Sequence, residues 1–172
     1  MFRQLLEFYT TSICFCPASP YNELSRLPLL TMRKIRILIL EDDLATLSRL
    51  VKSLEQLQAR NEHLDIALTI MAEYTQVEEY LNKAPENIYD IILLDRDCKA
   101  CGSFHCLDLS TYPVDKIIGI SSVPAYNQEL RDQGVTRTVH KDFQQMDVFV
   151  SGVEGEIESF AKQFEKQSGL NT

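Results

Sequence analysis

Ile35-Arg36-Ile37-Leu38-Ile39-Leu40 runs straight into three acids, Glu41, Asp42 and Asp43. A nearly continuous apolar run of this kind reads as a strand buried on both faces, as in the middle of a parallel sheet. About fifty residues later Ile91-Ile92-Leu93-Leu94 repeats the pattern and ends in Asp95. Parallel sheets bind ligands at the carboxyl ends of their strands, so the two runs predict one acidic pocket at that edge. Carboxylates gathered there repel one another unless a cation sits among them. A hard divalent ion such as Mg²⁺ prefers carboxylate oxygen.

From Lys34 onward, strand and helix signals alternate. Leu44, Leu47, Leu50, Val51, Leu54 and Leu57 recur at three- and four-residue steps and predict an amphipathic helix over 43–59. Further strands are predicted at 66–70, 89–94, 116–120 and 136–140, with helices at 74–83, 125–133 and 145–166. Asn82-Lys83-Ala84-Pro85 closes the first of these helices and Gly134 stops the second. The segment 98–113 is ambiguous, with a short helix possible around 103–110. Strands alternating with helices imply right-handed parallel crossovers and a doubly wound α/β sheet with helices on both faces.

Residues 1–31 differ in character, mixing aromatics, three prolines and two cysteines without clear periodicity. Met32-Arg33-Lys34 opens directly onto the first strand signal. The expectation is that residues 1–31 are an extension, disordered or preceding the natural start at Met32; a short docking arm is the alternative. The folded domain is expected over 32–167 and a tail over 168–172.

The formal charge of −8 argues against a nucleic-acid surface, which needs clustered Lys and Arg. Five cysteines, an odd number split between the leader and one loop, do not form a secreted disulfide framework. No apolar run approaches the roughly 18 residues of a spanning helix, and the leader lacks a secretory signal's basic start and long apolar core. These features predict a cytoplasmic protein without membrane or direct nucleic-acid partners.

The polar residues at successive strand ends form an ordered set: Glu41 and Asp42, then Asp95, Ser121 and Lys141. In this order and spacing they resemble the receiver domain of bacterial two-component response regulators, over about residues 34–166. The resemblance implies a flavodoxin-like fold of five parallel strands in the order 2-1-3-4-5. It makes Asp95 the phospho-acceptor, taking a phosphoryl group from a sensor histidine kinase or exchanging it with a histidine phosphotransfer protein. Mg²⁺ would be held by Asp42, by Glu41 directly or through water, by Asp95 and by the backbone carbonyl of Asp97. Ser121 would hydrogen-bond a phosphoryl oxygen, and Lys141 would pair with Asp95 and then with the phosphoryl group. Phosphoryl transfer to a carboxylate brings anions together, so such residue types suit charge neutralisation and positioning.

Several residues carry plainer readings. Asp43 is expected to N-cap the following helix rather than bind metal. Ser121 is preferred to Ser122 because it comes first after the strand. The Arg96 and Asp97 side chains are expected to be loop solvation.

Three features depart from the family pattern. Asp142 follows Lys141 where the family usually has Pro, and Thr138 stands where its switch aromatic lies. The third is the loop Cys98-Lys99-Ala100-Cys101-Gly102-Ser103-Phe104-His105-Cys106. Cys98, Cys101, His105 and Cys106 have the ligand types of a tetrahedral zinc site, but all four crowd into nine residues rather than two separated pairs. Structural zinc, a redox-sensitive thiol pair and ordinary loop cysteines are the alternatives, and the crowding favours the last. His105 is also a candidate to tune dephosphorylation.

The function expected is that of a stand-alone receiver switching a downstream protein, since the chain ends at Thr172, soon after the last helix. It would catalyse only its own phosphorylation and dephosphorylation and is not expected to be an enzyme. A binding scaffold no longer switched by phosphate is the competing reading. A metal-dependent aspartyl phosphatase is a distant third: Asp95-Arg96-Asp97 has its acid spacing, but after the wrong strand.

Overall fold

The computed structural model describes residues 33–83, 88–99 and 101–167. The expected extension over 1–31, the tail 168–172 and the Ala84-Pro85 close of the second helix lie outside the described residues.

β1 (Arg33–Leu40) leads into α1 (Leu44–Arg60) and β2 (Leu64–Met71). α2 (Tyr74–Gln76) runs on as a π turn over Val77–Leu81 and is followed by β3 (Ile91–Asp95). β4 (Asp97–Cys98) and β5 (Gly102–Ser103) make a small antiparallel ribbon. Short 3-10 turns at Phe104–Cys106 and Val114–Lys116 lead to β6 (Ile117–Ser121). α3 (Pro124–Asp132), β7 (Arg137–His140) and α4 (Met146–Gln167) complete the order.

Five strands form one parallel sheet in the order β2-β1-β3-β6-β7, so the main sheet has the expected 2-1-3-4-5 arrangement. The apolar runs supply both of its faces. Ile35, Ile37, Ile39, Ile91, Leu93, Ile118 and Ile120 pack with Leu50, Leu54 and Leu57 of α1 and Phe149, Val153 and Ile157 of α4. Leu38, Leu40, Ile92, Leu94 and Ile117 pack on the opposite side with Val77, Leu81, Phe104 and Leu130. Successive strand residues point to opposite faces, so a run that is apolar at every position is what two covering layers require.

The second covering layer departs from expectation. Where a helix was possible around 103–110, only the three-residue turn Phe104–Cys106 forms, with the Ser103 hydroxyl accepting from the His105 N–H at 3.1 Å. Asp108 then accepts from the backbone N–H of Ser110 at 2.9 Å and its hydroxyl at 2.7 Å. Such side-chain bonds offer the backbone an alternative to helix, and Pro113 follows.

Tyr74 pins the ribbon from below. A Cβ on Gly102 would lie 1.8 Å from the Tyr74 ring, so only glycine lets strand and ring approach this closely. Gly102→Ala is expected to lower stability by about 1–3 kcal/mol, as overpacking does. Urea unfolding would measure it, and Tyr74→Leu in the same chain should return part of the loss; an unchanged midpoint would refute the packing account.

Candidate functional site

Strand register brings the acids, the hydroxyl and the lysine to one edge. Leu40 of β1 pairs with Leu94 of β3, so Glu41 and Asp95 are neighbours. Asp95 pairs with Ile120 of β6, which places Ser121 next. Ser121 pairs with His140 of β7, and the Lys141 N–H donates to the Ser121 carbonyl at 2.9 Å. Four strands that begin far apart in the chain thus end at one place.

Charge is concentrated there and buried. Lys141 Nζ donates to Asp95 Oδ2 at 2.6 Å and to Glu41 Oε2 at 2.8 Å. Glu41 is fully buried, and Asp95, Ser121 and Lys141 are each at most 5% exposed. One ammonium faces two carboxylates, so compensation is incomplete. Burial and then the charge of Asp95 raise the Glu41 carboxyl above its ordinary value, against the pull of Lys141. Burial likewise raises Asp95, and Lys141 offsets it only in part. Burial disfavours the charged form of Lys141, but the two carboxylates outweigh it and its pKa is raised.

Glu41, Asp42 and Asp95 each offer a carboxylate oxygen, all within 4.8 Å of one another. An all-oxygen donor set of this kind fits a hard divalent cation. Asp42 is half-buried and accepts from the backbone N–H of Lys99. Asp97, whose carbonyl was expected among the ligands, opens β4 two residues beyond Asp95 and pairs with Ser103 in the ribbon.

Asp43 is the N-cap of α1: its Oδ2 accepts from the Thr46 N–H and hydroxyl, both at 2.8 Å. Lys99 Nζ reaches Asp43 Oδ1 at 2.9 Å, and these partners hold the Asp43 carboxyl down at about 2. The hydroxyl of Ser121 accepts from the Val123 N–H at 3.1 Å, which leaves its own hydrogen to donate. Ser121 is buried and Ser122 exposed.

Thr138, in the place of the switch aromatic, is half-buried, and its hydroxyl accepts from the Arg131 guanidinium of α3. Asp142 replaces the expected Pro, and no cis peptide occurs among the described residues.

Geometry does not support zinc at the cysteine-rich loop. Cys98 is buried in β4, Cys101 is exposed at the ribbon tip, and His105 and Cys106 lie in the following turn. Among the described residues only Glu41, Asp42 and Asp95 bring three ligand atoms together. The three described cysteines are free. Burial, then the charge of Asp42, pushes the Cys98 thiol up to about 12, and burial also raises Cys106. A thiol so far from ionisation as Cys98 is a poor nucleophile. Cys98 packs instead into the core layer with Phe104 and Leu107.

Three residues at the site escaped sequence reasoning. Lys99 holds Asp42 and Asp43 as described. Arg96, expected to be loop solvation, stacks on the Tyr126 ring at 4.1 Å and pairs with Glu129, both on α3. Asn127 is buried on α3 and donates to the carbonyls of Ser121 at 3.3 Å and Val139 at 3.5 Å, spanning the ends of β6 and β7. Only the Asn127 position carried a usable signal: a polar residue among the inward-facing positions of a predicted helix demands a partner.

Comparison with known structures agrees with the fold. The chain is similar to the phosphorylated cyanobacterial phytochrome response regulator RcpA, at 14% identity and a TM-score of 0.59, over 76% of this chain and 96% of that one. It is similar to the Mn²⁺-bound form of response regulator Rcp1, at 15% identity and a TM-score of 0.55, over 70% of this chain and 91% of that one. A receiver domain from Rhodospirillum rubrum matches at 12% identity and a TM-score of 0.53, over 73% of this chain and 94% of that one. No protein-family profile and no curated protein matches the sequence. At these identities the likeness is one of fold, and the fold is that of response-regulator receiver domains.

Proposed function

We propose that the chain is a phospho-accepting receiver module, in which Asp95 takes a phosphoryl group and thereby switches binding to a partner protein. The reading rests on one observation: a buried ammonium bridges Asp95 and Glu41 at 2.6 and 2.8 Å, at the edge where Asp42 and Ser121 also meet. A lysine held so is poised to follow negative charge as it grows beside Asp95.

The transfer runs as an in-line displacement. A carboxylate oxygen of Asp95 attacks the phosphorus of a phosphohistidine, the P–N bond breaks, the imidazole leaves, and an acyl phosphate forms. Lys141 would pass from Asp95 to the phosphoryl oxygens while keeping Glu41. Ser121 would donate its hydroxyl hydrogen to one of them. Asp42, Glu41, Asp95 and the Asp97 carbonyl would hold Mg²⁺. When bound, the ion would neutralise charge between the acceptor carboxylate and the incoming phosphoryl group. Hydrolysis of the acyl phosphate by water would reset the module, so the chain acts on itself and is not proposed as an enzyme for other substrates.

Exposed apolar side chains lie where a partner would approach this edge: Leu44 at the start of α1, Phe143 two residues past Lys141, and Val148 in the first turn of α4. A sensor kinase, a histidine phosphotransfer protein and a downstream target are the proposed partners, in the cytoplasm. No helix among the described residues is long and apolar enough to cross a membrane.

Acetyl phosphate or phosphoramidate with Mg²⁺ tests the proposal by intact mass. The protein is expected to gain about 80 Da, one phosphoryl group, and Asp95→Asn is expected to lose the adduct. Measurable divalent binding without an adduct would instead favour a scaffold no longer switched by phosphate.

Lys99 bears on the metal. Its ammonium sits on Asp43 and its N–H on Asp42, so a resident positive charge competes with any cation the acids take. Lys99→Met is expected to tighten Mg²⁺ binding by about three- to ten-fold, from one unit charge removed at the pocket's rim. Calorimetric titration at low ionic strength measures it; an unchanged affinity would show that the ammonium has no grip on the pocket.

A further inference from the structure

Arg96 connects the site to α3 by contacts that serve neither metal nor phosphoryl chemistry. Its backbone N–H donates to Asp95 Oδ1 at 2.8 Å, so its main chain is joined directly to the acceptor carboxylate. Its guanidinium lies 4.1 Å from the centre of the Tyr126 ring and pairs with Glu129. Tyr126 and Glu129 are three residues apart on α3 and therefore share one helix face. A planar guanidinium can stack on an aromatic ring and bind a carboxylate at the same time, which an ammonium does less well.

α3 depends on such contacts. It has nine residues, its N-cap position is Val123 with no side-chain cap, and among its residues only Asn127 and Leu130 are buried. A helix this short is marginal without tertiary support. Polar side chains provide much of that support: Arg96 from just beyond β3, Asn127 to the ends of β6 and β7, and Arg131 to Thr138. Thr138 brings no aromatic ring to transmit a change at the site.

We infer that Arg96 is a positioning residue, a charge-sensitive latch that holds α3 against the acceptor strand and loosens when Asp95 gains negative charge. The latch itself is independent of the phospho-acceptor reading; its loosening rests on that reading. A phosphoryl group on Asp95 adds about −1.5 to −2 charge beside the residue whose N–H already serves that carboxylate. The guanidinium then faces two competing anions, and its hold on Glu129 weakens. α3 changes its order, and with it the face that a partner protein meets.

Amide hydrogen exchange read by mass spectrometry tests both parts in the full chain. Without phosphodonor, Arg96→Gln and Glu129→Gln are each expected to speed exchange over 124–133 by about three-fold or more, while α1 is unchanged. The charge swap Arg96→Glu with Glu129→Arg is expected to recover part of the protection, which a loss of packing alone would not. Unchanged α3 exchange in both single variants, or no recovery in the swap, overturns the latch.

With acetyl phosphate and Mg²⁺, the adduct being followed in the same sample, α3 exchange in the unsubstituted protein is expected to rise towards that of Arg96→Gln, with little further rise in the variant. A full response in phosphorylated Arg96→Gln overturns the loosening. Absence of any adduct overturns the phospho-acceptor reading and the loosening with it, while the comparison without donor still decides the latch.

Discussion

Lys141→Met is expected to lose about 3–5 kcal/mol of stability near neutral pH, the cost of leaving buried charge without its partner. Lys141 is at most 5% exposed and is held by both Glu41 and Asp95, so methionine replaces its length and apolar stem but none of its charge. Two carboxylates then remain in a buried pocket, where the backbone N–H groups of Asp43 and Arg96 still serve them but no longer have the ammonium's help against repulsion and desolvation.

The sign of the pH dependence follows from the raised carboxyls. Glu41 and Asp95 already lie above their ordinary values of 4.5 and 3.8, so the folded state binds protons that the unfolded chain has released. Stability from such groups is present below those unfolded values and is lost as pH rises through the higher folded ones. Removing the ammonium lifts the folded values further, so the variant's deficit should be largest near neutrality and shrink as pH falls towards about 4. Urea unfolding of both proteins across that range reads the difference. A deficit that stays constant with pH would mean that packing, not charge, was lost.

Phe104→Ala should destabilise the fold by about 3–5 kcal/mol, as deletion of a fully buried aromatic does. Phe104 has no exposed surface and packs with Leu94, Cys98, Leu107 and Leu130 in the layer under β3 and β6. Its N–H donates to the Arg96 carbonyl at 2.9 Å, closing the segment just beyond Asp95. Cys98, next to Lys99 in the ribbon, shares this core layer, so the hold on Asp42 and Asp43 should weaken together with global stability. Denaturant unfolding gives the first effect and exchange at the Lys99 amide the second. A loss below about 1 kcal/mol would mean that the layer refills the space, against the usual cavity cost.

The parts of the fold that could be read from the chain were those where one physical demand acts locally. Ile91-Ile92-Leu93-Leu94 is apolar at every position because both faces of β3 are covered. Asp43 was legible as a cap because its chemistry is satisfied within three residues, at Thr46. The 103–110 region stayed ambiguous in the sequence, and no longer helix forms because the Ser103 and Asp108 side chains accept from the nearby backbone N–H groups of His105 and Ser110. At the site, Glu41, Asp42, Asp95, Ser121 and Lys141 were visible as polar residues at the ends of apolar strands. Lys99 and Arg96 were not, because a basic residue in a loop looks the same whether it meets water or a carboxylate.

Burial pattern and strand-end chemistry are local properties, written in each segment without reference to any other, so the chain alone specified a doubly wound sheet with an acidic edge. Register and long side-chain reach are relations between segments. Pairing of Leu40 with Leu94, and of Ser121 with His140, decided that Glu41, Asp95 and Lys141 would share one buried charge cluster. Folding likewise turned Arg96 towards Tyr126 and Glu129, and Lys99 onto Asp42 and Asp43. Such contacts depend on where distant backbones come to rest, and no spacing along a single strand records that.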